Sequence, residues 1–433
     1  MSPLLKRFPN APIRPEVIKA EGCYLHLKDG RSLLDASSGW CSLNVLGYSH
    51  PEVLLALETQ MRRFCHIDPN HWENPQLTEL AELLLSQAPK GLNKVYFSGS
   101  GGSEAVEAAM KLSYQQHYNN GQAQKTYYIS REQSFHGATL QTIALSDIDI
   151  FTFYKPLIPD NYVKIPLHYP LRERLAEESL DDYARRGARD LENKILQLGS
   201  EKVAAFVGET MLGGLLGDVT PAPGYWKYIR EVCDRHNVHL ILDEVYCGLG
   251  RSGRIYCCDW DDITPDFVCV AKALGGGYAP LSAVITNDRV ERQIKNGQGR
   301  IHGGHTYQGY SLGCAAALAI QKIVHRESTL IHINQVGVRM RTHLENSLKQ
   351  HPFFREVRGR GSLFSLEYQT PDNILFSSRL YRLLEEEYRV VVSCKWHRIS
   401  FAVPFILTLA EADTICAAVV DAFTRIAQSL DKK

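Results

Sequence analysis

Two short apolar runs, residues 238–242 and 267–271, constrain what this chain can fold into more than any other feature. Continuous rather than alternating hydrophobicity predicts strands buried on both faces, as in a parallel sheet covered by helices. Each run delivers one ionisable side chain at its carboxyl end, Asp243 and Lys272. Open α/β sheets bind their ligands at that edge. An Asp and a Lys leaving neighbouring strands suit a cofactor with a ring cation and an aldehyde, the two groups of pyridoxal phosphate. Asp243 would keep the ring nitrogen protonated. Lys272 would form a Schiff base through an amine deprotonated by burial and by the adjacent cationic ring. Taken alone, the two residues equally admit a salt-bridged pair at a sheet edge.

The flanking residues separate these readings. Asp243-Glu244-Val245 is followed by a glycine-rich turn from Gly248 to Gly253 carrying Arg251, then Pro265-Asp266, Lys272 and the glycines 275–277. In that order the stretch resembles the signature of the class III pyridoxal-phosphate aminotransferases, and the similarity extends over nearly the whole chain. The resemblance implies the fold type I architecture: an α/β large domain with a mainly parallel, doubly wound sheet, and a small α+β domain built from both chain ends. The expected division is residues 1–50 in the small domain, 51–315 in the large cofactor-binding domain and 316–433 in the small domain.

Size and charge agree with a small-molecule enzyme. At 433 residues the chain exceeds one ordinary core. Lys plus Arg and Asp plus Glu both number 48, so no global field favours nucleic acid or a membrane surface. No apolar run approaches the roughly 20 residues that span a bilayer. The first eleven residues carry Pro3 and Pro9 and lack an apolar core of about 7–15 residues, so no secretory signal is expected there. Eleven cysteines without paired metal spacing point to reduced thiols and a cytoplasmic location.

Along the chain, Asp29-Gly30 predicts a hairpin turn. Strand 94–97, the Gly/Ser run 98–103 and an apolar-faced helix through Ala105, Ala108, Ala109 and Leu112 form a strand–turn–helix unit. Such a unit aims backbone N–H groups and a positive dipole end at an anion. Gly102 and Ser103 match the family's phosphate cup. The resemblance implies further roles. Phe135, next to His136, would cover one face of the cofactor ring and Val245 the other. Glu209 would lie near the phenolic side, and Trp40 would line the substrate pocket. Thr306 would reach the phosphate of a neighbouring subunit, making the working unit at least a homodimer. Residues 171–187 are charged and helix-prone and read as a solvated connector. His302 and His305 have no third ligand at useful spacing, so no metal is expected.

Four positions depart from the family pattern. Many members bind a substrate carboxylate through an Arg where Ser400 stands here. In some of them a Glu, replaced here by Gly214, masks that Arg. The ω-amine branch uses another Arg, where Ser393 stands, and Val403 replaces a family Pro. Lys395 and Arg398 are the nearby substitutes. Arg398 is preferred because its planar fork suits an oxyanion and it shares a strand face with Ser400 under period-two alternation. The expected activity is amino-group transfer from a primary amine or ω-amino acid to a 2-oxo acid. Elimination of ammonia or phosphate from a phosphorylated or phosphonate amine is the alternative, and a silent binding protein is disfavoured by the intact Lys272 and Asp243.

Overall fold

A computed structural model describes residues 3–8, 10 and 14–430, apart from the side chains of Cys41 and Leu430. Its centre is a seven-stranded sheet. In spatial order the strands are Lys94–Gly99, Ser282–Thr286, Phe267–Val270, His239–Asp243, Val203–Glu209, Tyr127–Arg131 and Tyr162–Ile165. Every neighbouring pair from Phe267–Val270 to Tyr162–Ile165 is parallel. Ser282–Thr286 runs antiparallel to both of its neighbours. The two runs at 238–242 and 267–271 are therefore adjacent parallel strands, and every residue of His239–Asp243 and Phe267–Val270 is buried.

Helices cover both faces. The helix Tyr225–Arg235 buries Trp226, Ile229, Val232 and Cys233. Residues 171–187, expected as a solvated connector, instead run into the helix Leu180–Leu198, which buries Tyr183, Ala184, Ala188, Leu191 and Ile195. The charge belongs to its outer face, and the alanines of its apolar stripe are too small to announce it.

A second hydrophobic core joins both ends of the chain. It unites Cys23, Leu34 and Ala36 with Val336, Phe364, Phe376, Phe401 and Phe423, among others. Two four-stranded sheets frame it. One is the meander Val17–Glu21, Tyr24–Leu27 and Ser32–Asp35 with Val390–Val391 added in parallel. The other runs Phe354–Arg360, Leu363–Tyr368, Arg398–Ala402, Ser393–Lys395. A boundary at 315/316 falls inside the helix Ser311–Val324, whose residues Cys314 to Val324 pack into the larger core.

Two buried histidines lie away from the carboxyl ends of the strands. His168 is stacked between Tyr183 and Tyr225, at 4.3 and 3.9 Å between ring centres. Burial, aided by Arg131 and Arg186, drives its pKa down to about 2. His239 stacks on His117 at 4.0 Å, and burial drives its pKa to about 3. Both stay neutral in the folded chain while the unfolded chain takes protons below pH ~6.5, so folding loses up to ~1.4 kcal/mol per pH unit for each. Stability should therefore fall by about 4 kcal/mol for the pair between pH 7 and pH 5. In urea titrations at both pH values, His239→Asn should lose about half of that pH-dependent drop. A variant slope equal to the wild type would refute the assignment.

Candidate active site

Strand register sets the floor of the site. Glu209 is the register partner of Asp243, and Asp243 of Cys269, so the three strands end within one residue of one another. Lys272 follows one residue beyond Ala271 with φ +36°, a left-handed backbone costing a non-glycine residue about 1–2 kcal/mol. Strain of that kind concentrates where a side chain must be aimed. Glu209, Asp243 and Lys272 all face one cavity of about 520 Å³. Gly102, Ser103, Phe135, His136, Val245, Trp40 and Arg398 line the same cavity, together with Ser393, Lys395, Ser400 and Gly214.

Each floor carboxylate is held. Asp243 is buried; its Oδ1 accepts from the Val245 N–H (3.1 Å) and its Oδ2 lies 2.9 Å from His136 Nδ1. His136 donates through that nitrogen, which leaves its Nε2 buried without a partner. Glu209 accepts from the N–H groups of Phe135 and Gly213, each at 3.2 Å. Burial raises its pKa, and the nearby His136 works against that rise.

The helix Gly102–Asn119 starts at the cavity, and its first-turn N–H groups have no partner within the helix. A Cβ on Gly102 would stand 2.5 Å from Val245 Cγ1, so only glycine lets the helix approach that side chain. Ser103 Oγ accepts from the Ala138 N–H at 3.0 Å. Glu104, in the same first turn, spends its carboxylate on the N–H groups of Ser100 and Gly101.

Trp40 reaches the cavity on a strained turn. Ser38, Trp40 and Ser42 all have positive φ, at about 1–2 kcal/mol each. Buried Asp35 offsets this by accepting from Ser37 N (2.7 Å), Ser37 Oγ (2.6 Å), Gly39 N (2.7 Å) and Tyr48 OH (2.7 Å). Bonds to a charged acceptor contribute about 1.5–3 kcal/mol each, so the carboxylate outweighs the strain. Trp40 remains 45% exposed and meets the edge of Tyr381 at 5.3 Å.

Arg398 is 1% exposed, and burial lowers its pKa. Its Nη2 donates to Gly214 O (2.9 Å) and its Nε to Ser400 Oγ (3.3 Å), while Nη1 is buried with no partner. The fork expected to grip an oxyanion with two arms thus has one arm to offer. Thr306 is exposed and is not among the residues lining this subunit's cavity. Residue-by-residue reading missed Arg7, Tyr246, Ile148, Ile150 and Phe151, all of which line it. Tyr246, directly after the Asp-Glu-Val triplet, was the one with a local signal.

The class III aminotransferase family model matches residues 9–423. An uncharacterized aminotransferase of Schizosaccharomyces pombe is 35% identical over 354 residues, covering 82% of this chain and 77% of its own. Diaminobutyrate–2-oxoglutarate transaminase of Halomonas elongata is 32% identical over 94% of this chain and 89% of its own. The crystal structure of a Pseudomonas jessenii omega transaminase in complex with PMP superposes with a TM-score of 0.90 at 27% identity, covering 96% and 93% of the two chains. The chain belongs to the class III aminotransferases. It is a fold type I, pyridoxal-phosphate-dependent aminotransferase, and elimination, the alternative reading of the sequence, finds no support in these relatives.

The residues present fit that cofactor. The cavity joins a helix N-terminus, an orphaned buried His136 Nε2 above Asp243, and a lysine at a strand end. Gly102→Ala should displace Val245 and crowd the helix start. Retained cofactor, measured as visible absorbance per subunit after gel filtration, should fall at least ~10-fold, the effect of losing ~1.4 kcal/mol. The apo-protein's urea midpoint should barely move. Full retention would show that the close approach is irrelevant to binding.

Proposed function

We propose that this enzyme moves an amino group from a primary amine or ω-amino acid to a 2-oxo acid, using Lys272 and Asp243 as its catalytic residues. One observation carries the reading: the strand ends set Glu209, Asp243 and Lys272 in a cavity that Arg398, whose buried Nη1 has no partner, also lines. Lys272 would hold pyridoxal phosphate covalently, and the cofactor would supply the electron sink that acidifies the carbon bearing the amine. The protein's part is orientation and proton handling. Asp243 holds a proton on the ring nitrogen through a charge-assisted hydrogen bond, and His136 holds Asp243. Phe135 would stack on one ring face, which adds about 0.5–1.5 kcal/mol beyond burial, and Val245 would pack on the other. Gly102 and Ser103 would receive the phosphate, and Glu209 would stand near the phenolic side. Lys272 carries the proton from one carbon to the other, Trp40 packs on the substrate, and Arg398 Nη1 binds the carboxylate of the oxo acid.

The relatives' names support this choice of substrates: one acts on diaminobutyrate with 2-oxoglutarate, another is called an omega transaminase. The two hydrophobic cores support a large domain flanked by a small one from both chain ends. The exposed Thr306 supports a homodimer in which it completes the partner's phosphate site. Among the described residues no helix is long and apolar enough to cross a membrane. The reduced-thiol pattern favours the cytoplasm.

A panel of amines assayed against pyruvate and 2-oxoglutarate tests the activity, and Arg398→Ala tests the anchor. Losing a hydrogen bond from a cation to a carboxylate costs about 1.5–3 kcal/mol, so KM for the oxo acid should rise roughly 10- to 150-fold. The half-reaction with an uncharged amine should change far less. No transfer from any amine, with ammonia released instead, would overturn the reading.

The dimer is tested by complementation. Lys272→Ala should abolish turnover, and Thr306→Ala should weaken cofactor retention without unfolding the subunit. Mixed dimers of the two would hold one doubly damaged site and one intact site, so subunit exchange should restore partial activity. Exchange without restoration would show that each chain completes its own site.

A further inference from the structure

The segment between Leu212 and Val219 enters the cavity wall through Gly214 and Leu215, and arginines of the neighbouring sheet hold it there. Leu212 and Val219 exchange backbone hydrogen bonds at 3.0 and 2.9 Å. Arg358 donates to Gly217 O (2.6 Å) and Leu216 O (2.7 Å), and Arg398 to Gly214 O. Gly217 has φ +77°, and a Cβ there would stand 2.4 Å from Arg398 Cδ and 2.8 Å from Ser365 Oγ. Asp218 follows with φ +58°, fully buried. This contorted backbone delivers a carboxylate to the inside of the protein.

That carboxylate has two partners leading in different directions. Asp218 Oδ1 accepts from Tyr246 OH at 2.9 Å, and Lys272 Nζ lies 5.1 Å from the centre of the Tyr246 ring. Asp218 Oδ2 accepts from Ser365 Oγ at 2.6 Å. Ser365 Oγ is 2.8 Å from Ser400 Oγ, which accepts from Arg398 Nε. One arm therefore ends under the lysine, the other at the guanidinium whose Nη1 is unpartnered. Burial raises the Asp218 pKa against Ser365, Tyr246, Arg358 and Arg398, so its charge is costly to keep. An apolar side chain would hold the segment to the sheet at lower cost.

We propose that Asp218 is a positioning residue for both halves of the transfer: through Tyr246 it sets Lys272 for the amine, and through Ser365 and Ser400 it aims Arg398 Nη1 at the oxo acid. The proposal rests on Arg398 being the carboxylate anchor. Tyr246→Phe cuts one arm and keeps the ring; Ser365→Ala cuts the other; Asp218→Asn keeps the shape and removes the charge.

Two constants read the arms separately: the rate of cofactor absorbance change with an uncharged amine, and the KM of the oxo acid. Tyr246→Phe should slow the first about tenfold and move the second by less than threefold. Ser365→Ala should raise the second about tenfold and move the first by less than threefold. Asp218→Asn should do both, with an unfolding midpoint near that of the wild type. If both single-arm variants move the two constants in proportion, or a folded Asp218→Asn leaves both within twofold, Asp218 is only a structural tie and the proposal fails. If Asp218→Asn does not fold, the single-arm pair decides. Arg398→Ala, run alongside, separates the two claims. No change in its KM defeats the anchor, whereas a rise that Ser365→Ala does not share defeats the positioning role alone.

Discussion

Parallel hydrogen bonding between three buried strands is the constraint on which the site depends. Pairing of Glu209 with Asp243 and of Asp243 with Cys269 makes the strands end within one residue of one another, so successive side chains emerge at one edge. A slip of one residue would send Asp243 to the opposite face of the sheet, because side chains alternate with period two. Burial on both faces makes such a slip costly. The start of the same strands is fastened by Asp266, which pairs with Arg230 (2.7 Å) and Arg289 (2.9 Å) and accepts from Leu240 N (2.8 Å). The Pro-Asp pair of the motif thus acts at the far end of the sheet from the lysine. Motif residues share a sequence pattern without sharing a site.

Charge enters the cavity from both parts of the chain. The central sheet contributes the carboxylates Glu209 and Asp243 and the lysine Lys272, while Arg7, Lys395 and Arg398 come from residues near the two chain ends. A reaction that exchanges an ammonium-bearing substrate for a carboxylate-bearing one needs both signs in one space. Separate elements allow each sign to be held without the two collapsing into a salt bridge. His136 serves the same end, occupying one oxygen of Asp243 through Nδ1 while its Nε2 is buried without a partner.

Strand ends, the Gly/Ser helix start and the lysine were legible because local rules write them: apolar runs for buried strands, glycine before a helix for an anion, motif order for the rest. The place of Arg398 at the cavity was legible through alternation on its strand, but the partners of its fork were not. Two of its nitrogens are spent on Gly214 O and Ser400, and no local pattern records a contact across 184 residues. Asp218 was invisible for the same reason. Its place depends on Arg358 and Ser365, each more than a hundred residues away, and on a backbone conformation that its residue type does not announce. Helix Leu180–Leu198 shows the converse error, in which a strong surface charge pattern hid a stripe of small buried residues.

Those non-local contacts share a device. Four buried carboxylates tie down irregular segments of the chain, three of them at the cavity. Asp35 holds the turn bearing Trp40, and Asp218 holds the segment bearing Gly214. Glu209 takes the N–H groups of Phe135 and Gly213, and Glu244 takes those of Cys257 (2.6 Å) and Cys258 (2.8 Å). Burial pushes Glu244 up to about 7, a measure of how little water reaches it. Irregular backbone lacks the internal hydrogen bonding of helices and strands, so its buried N–H groups must find acceptors elsewhere. An ionised carboxylate can satisfy several at once, and its own burial is tolerable only while they stay in place. Each loop therefore needs its carboxylate and each carboxylate needs its loop. That mutual dependence lets segments without regular structure present Trp40, Phe135 and Gly214 to the same cavity as the rigid strand ends.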